Sequence, residues 1–195
     1  FTFTNGSLMM STGQKLVVKL TDGMGKGVVV VHGESVKDTR DMFCCHIMAD
    51  KLARMNGMGI FGKSDPYLQI SRCYDDGTFV VVYKTSHKLN DLKPKWNNTK
   101  IEIQKLCNGD LDAQLSVEML DYQPDGQHRQ IGFFRTTLRE ILAGRTYELM
   151  AKGKTKSLFY SNSGTVRFVD AKVEKHASLA DFIMGGLEMV LNVAI

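Results

Sequence analysis

The sequence predicts an all-β chain folded as a β-sandwich, and three observations carry that expectation. Short segments rich in β-branched and aromatic residues alternate with turn signals, only two stretches show helical periodicity, and Tyr74-Asp75-Asp76-Gly77 reads as a tight hairpin turn. Gly77 suits such a turn because it takes a positive φ without steric cost.

In chain order, residues 16–20, 28–32, 67–72, 78–85, 101–103, 114–120 and 165–169 read as strands, seven in all and enough for a sandwich. Residues 42–48 read as a further strand whose Cys-Cys-His sequence weakens the pattern. A helix is expected over 136–143, where Leu138, Ile141 and Leu142 share one face, and a second over 179–184. After Gly185-Gly186, residues 187–195 read as a mostly apolar buried strand opening another domain, of parallel α/β type. The chain begins on Phe1 and ends on Val193-Ala194-Ile195, and both ends read as cut from something longer.

With 195 residues, 43% of them hydrophobic, the chain can build a substantial core. Its 25 basic and 21 acidic residues give a net charge of +4, too small an excess for a dedicated nucleic-acid binder but compatible with attraction to an anionic membrane surface. Cys44, Cys45, Cys73 and Cys107 show no C-x-x-C spacing and read as reduced thiols of a cytosolic protein. No apolar run approaches the about 20 residues that a spanning helix requires.

Residues 57–64 fit the phosphate-loop pattern, two glycines followed by Lys63-Ser64. That loop needs a following helix, whose N-terminus holds the anion. Here Pro66 is followed by the two-residue alternation of a strand, so no nucleotide is expected.

Ser64-Asp65-Pro66-Tyr67 entering a strand, then Lys84-Thr85 and Leu92-Lys93-Pro94-Lys95-Trp96-Asn97, is the running order of a C2 domain. Leu106-Cys107-Asn108-Gly109-Asp110, Asp121-Tyr122, Gly126-Gln127-His128, Ile131-Gly132-Phe133-Phe134 and Asn162-Ser163-Gly164-Thr165 resemble the second C2 domain of a copine. Residues 179–186 and 192–195 are similar to the copine entry into its von Willebrand factor A-type domain. The resemblance implies an eight-stranded antiparallel C2-type sandwich with one short helix. It divides the chain into the tail of a preceding C2 domain (1–26), the C2 domain (27–173), and a linker with the first strand of the next domain (174–195). It also implies loops at one end that bind calcium and then anionic phospholipid, with carboxylates supplying most of the ion's six to eight oxygens.

Of the five carboxylates the family pattern places there, Asp65 and Asp121 remain, with Asp125 nearby as a substitute. Gly59, Gln123 and Arg129 stand at the other positions. A guanidinium at about 4 Å from a divalent ion is repelled by about 8 kcal/mol at an effective dielectric of 20, so two carboxylates against one cation should not hold calcium tightly. Two readings of Arg129 stay open: it replaces the ion by pairing with Asp65 or Asp121, or it is solvated.

Lipid contact is expected from a basic face holding Lys84, Lys88, Lys93, Lys95, Lys100 and Lys105 with His87 and Trp96. The same lysines read equally as a solvated edge that discourages aggregation. Met58, Ile60 and Phe61 at a loop tip could enter a bilayer or pack inward. Cys45-His46 point to opposite faces of a strand and make no catalytic pair, and the five histidines lack zinc spacing, so no enzyme is expected. The chain therefore reads as a cytoplasmic protein, peripheral at the plasma membrane or the inner face of an endomembrane. Its expected partner is an anionic phospholipid membrane, with a protein bound by the same sandwich as the competing reading.

Overall fold

The computed structural model describes residues 15–19, 27–32, 40–55, 63–74, 77–153, 160–177 and 184–186. Among them β1 (Lys15–Lys19) and β2 (Val28–His32) pair antiparallel in a two-stranded sheet of their own. The other eight strands form two four-stranded antiparallel sheets, the sandwich the sequence predicts. One has the order β6-β3-β10-β9, from β3 (Met42–Asp50), β6 (Lys95–Glu102), β9 (Thr146–Glu148) and β10 (Thr165–Glu174). Its partner runs β5-β4-β7-β8, from β4 (Pro66–Cys73), β5 (Phe79–Lys84), β7 (Leu115–Asp121) and β8 (Arg129–Thr136).

The core lies between the sheets because period-two patterning turns one side of each strand inward. Phe43, Cys45, Ile47 and Ala49 of β3 face Leu68 and Ile70 of β4 and Leu115, Val117 and Met119 of β7. Tyr147 anchors the short β9: its ring stacks on Phe134 at 4.4 Å between centroids, and its hydroxyl accepts from the Thr136 hydroxyl at 3.0 Å.

Two bulges keep the pattern inward where strict alternation would fail. Asn98 at φ 54° inserts a residue into β6 opposite β3, so that Trp96, Thr99 and Ile101 are all buried. Asp170 at φ 53° does the same in β10, and both bulges flank His46, whose Nδ1 accepts the Asn98 N–H at 3.1 Å.

The expected 136–143 helix is α2 (Leu138–Leu142), capped by the Thr137 hydroxyl accepting the Glu140 N–H. A single-turn helix absent from the sequence reading, α1 (Ile103–Cys107), begins where strand was expected to continue to 103 and ends in left-handed Asn108. The strands β8 and β9 were also missed. Most of the expected second helix and the apolar strand over 187–195 lie outside the described residues.

Gly132 sits where β8 passes closest to the 149–150 segment: a Cβ there would lie 2.8 Å from Leu149 Cβ and 3.0 Å from its carbonyl carbon. Gly132→Ala should therefore lower stability by about 2 kcal/mol, read by urea denaturation, and a loss within error of zero contradicts this packing.

Candidate functional site

The loop end of the sandwich is held by one carboxylate. Period two carries Leu115, Val117 and Met119 of β7 inward and carries Asp121 with them, so its side chain is fully buried at the strand's end. Its Oδ1 accepts the Asp65 N–H at 2.7 Å, and its Oδ2 accepts Gln123 Nε2 at 3.0 Å and Arg129 Nη2 at 3.0 Å. Asp121 and Arg129 are cross-strand partners of β7 and β8, which is why the guanidinium reaches the carboxylate. Arg129 Nη1 also donates to the Met55 carbonyl at 2.9 Å, so one side chain ties the stretch after β3 to the facing ends of β7 and β8.

Asp65 serves as a staple. Its Oδ1 accepts the Asn90 N–H at 2.6 Å, while its carbonyl accepts the Tyr122 N–H at 3.0 Å. The loop after β5 is laced to the same chain by Lys88 N–H to Pro66 and Asp91 N–H to Ser64. Ser64 is itself buried, donating to the Ala53 carbonyl and accepting the Met55 N–H. Asp125 stays apart in an exposed turn, accepting the Gln127 N–H. Gly59, with Met58, Ile60 and Phe61, lies outside the described residues.

These residues do not fit a calcium ion. Both oxygens of Asp121 already accept hydrogen bonds, and a guanidinium occupies the place beside it that a cation would take. Among the described residues no group of three or more His, Cys, Asp or Glu side chains could hold a metal.

Beside this end lies a second cluster that sequence reasoning left mostly unassigned. Tyr122 stacks on His87 at 4.2 Å and on His128 at 5.1 Å, with Tyr67 edge-on to His128 at 5.3 Å. They border a cavity of about 210 Å³ together with Lys84, Thr85 and Ser86. The signal was present in Tyr122 and His128, but His87 reaches them only because β4 pairs with β7 on one side and holds β5 and the loop after it on the other.

The lysines do not share one face. Lys84, Lys88 and Lys100 line a groove of about 480 Å³ between β5 and β6. Lys93 and Lys95 turn to a different groove of about 130 Å³, bordered by Asp50 and Arg167. Lys93 Nζ lies 3.0 Å from Asp50, whose carboxyl it holds below the usual range. Lys105 lies on α1. Trp96 is 6% exposed, packed in the core with its Nε1 donating to the Ser86 carbonyl at 2.7 Å, so it borders the basic groove without projecting into it. Lys100 is partly neutralised by Glu174 at 3.5 Å. The hydrogen bond from Lys172, with help from Cys44 and Lys100, pulls the Glu174 carboxyl down to about 2.

Comparison with known proteins agrees with this architecture. The family model described as C2 domain matches residues 41–152. The solved structure of BON1-C2B is similar at 23% identity and a TM-score of 0.56, covering 70% of this chain and 93% of its own. A C2 domain of plant Extended Synaptotagmin 1 is 19% identical with a TM-score of 0.48, over 73% of this chain and 100% of its own.

Two outcomes follow from the geometry. Arg129→Ala leaves a fully buried carboxylate short of its countercharge and should cost about 2 kcal/mol in chemical denaturation, below the range for wholly buried pairs because the guanidinium is 42% exposed; unchanged stability would refute the pair. The depressed Glu174 carboxyl contributes stability that is present above the usual carboxylate range and is lost as pH falls towards 2. Lys172→Ala should move its carbon-NMR titration upward, and an unmoved midpoint would discount the Lys172 contact.

Proposed function

The chain belongs to the C2 domain family, and from that premise we propose that it docks peripherally on anionic phospholipid membranes without calcium as the bridge. The observation that carries this reading is the Arg129 guanidinium lying 3.0 Å from the buried Asp121, supplying from the protein the positive charge that orders the loops. Lipid contact then falls to Lys84, Lys88 and Lys100 in the groove between β5 and β6. Each such lysine contributes about 1 kcal/mol at an anionic surface, less at high salt. Lys93 and Lys95, turned towards Asp50 and Arg167, play the lesser part.

The finer reading is a copine-like module, supported by the residues of the sequence resemblance. On it, residues 1–26 end a preceding C2 domain and residues 174–195 lead into a von Willebrand factor A-type domain. Such a module acts by docking rather than catalysis, at the cytoplasmic face of the plasma membrane or an endomembrane. It leaves Asp65 and Asp121 as remnants of a calcium site, with Asp125 a nearby substitute that stays apart from them, and Phe61 as a candidate for insertion.

Co-sedimentation with phosphatidylcholine vesicles, with and without phosphatidylserine, tests this in the presence of chelator. The chain should pellet only with phosphatidylserine, equally when calcium replaces chelator. Lys84→Glu with Lys88→Glu should weaken pelleting at least about tenfold, and Lys93→Glu with Lys95→Glu much less. Pelleting that requires calcium, or equal losses in both pairs, would overturn the assignment.

A further inference from the structure

The sandwich has four sheet edges, and three are blunted. The edge of β8 is occupied by a reciprocal pair of backbone hydrogen bonds between Phe133 and Met150, both 2.9 Å. The strand β9 is three residues long. The edge of β6 is bulged at Asn98 and lined by Lys95, Lys100 and Glu102, the usual protection against strand addition. The fourth edge, β5, has the sequence Phe79-Val80-Val81-Val82-Tyr83-Lys84, and among the described residues no strand pairs with its outer side. Val80 is 46% exposed and Val81 41%. Open grooves of about 490 and 480 Å³ border its two halves, leaving room alongside the strand.

We propose that β5 is a docking edge for an extended acidic segment of another protein, added as a fifth strand to its sheet. The backbone of Phe79–Val81 offers the ladder; Val82 is the extra residue of a bulge against β4 and ends the regular stretch. The occupant's charge follows from the flanks. Lys84, Lys88 and Lys100 border one groove, and Lys105 stands by the other opposite Glu102, so acidic side chains on the incoming strand meet an excess of lysines. Val80 and Val81 are strand neighbours and point to opposite faces, so aliphatic residues alternating with the acidic ones cover one of the two. Strand addition takes its affinity from main-chain hydrogen bonds and its specificity from alternate side chains, which suits an edge with a bare backbone and cationic ends. This use of β5 does not depend on membrane docking, although the two share Lys84 and Lys88.

The test uses the whole 195-residue chain and a synthetic acetylated nonapeptide of alternating Glu and Val, with no vesicles. Amide NMR should show saturable shifts and slowed hydrogen exchange confined to Phe79–Lys84 and its groove neighbours. The same peptide N-methylated at alternate residues along its ladder-forming edge keeps its charge but loses donors, and should bind at least about tenfold more weakly. A Lys-and-Val peptide should show no binding. Equal affinity of the N-methylated peptide would reduce the contact to charge attraction and overturn strand addition, as would shifts mapping elsewhere or no binding. Concentration-dependent self-association through β5 without peptide would replace the proposed partner by a second copy of the chain.

Discussion

One ion pair organises the loop end of this sandwich. Asp121 is buried because β7 alternates, and a buried carboxylate must be paired or neutralised. Arg129 answers that need from the facing position of β8, then reaches on to the Met55 carbonyl. The Asp65 amide and the Gln123 side chain donate to the same carboxylate. The stretch 51–55 after β3, the entry of β4 and the start of β8 are therefore fixed to one another through this carboxylate and guanidinium.

That arrangement separates two jobs that a bound calcium ion combines, ordering loops and presenting positive charge to phosphate. Ordering is internal here. In the docking proposed above, presentation falls to Lys84, Lys88 and Lys100, which line the groove on the flank between the two sheets. The attraction is then set by a fixed charge pattern and by salt rather than by an ion's concentration. The same flank holds the unprotected edge of β5, so lipid and peptide would meet the domain on one side.

The sandwich was legible in the sequence because its strands obey period two between turn signals. It became illegible where bulges break that period. β8 was missed because Ile131 is an extra residue against β7, so Ile131 and Phe134 face inward at a spacing of three. β6 was read only at its end because the left-handed Asn98 shifts its inward set from Trp96 to Thr99. At the site, the substitutions at Gln123 and Arg129 were visible, but the choice between a paired and a solvated Arg129 was not. It depends on the register of β7 against β8, which places Arg129 opposite Asp121. The lysines misled for the converse reason: closeness in sequence grouped six of them, while the turn from β5 to β6 sends Lys93 and Lys95 to another groove. Trp96 likewise read as a surface aromatic until its neighbours in β6 and β3 enclosed it.

The Arg129–Asp121 pair would compete with any calcium ion for the same carboxylate, and the Asp65 and Asn90 amides report on it directly because their N–H groups donate to Asp121 and Asp65. Following those two resonances by NMR while calcium is added tests it. No saturable change is expected up to about 1 mM calcium, beyond the range of sensor sites. Saturation of both resonances at micromolar calcium would contradict it.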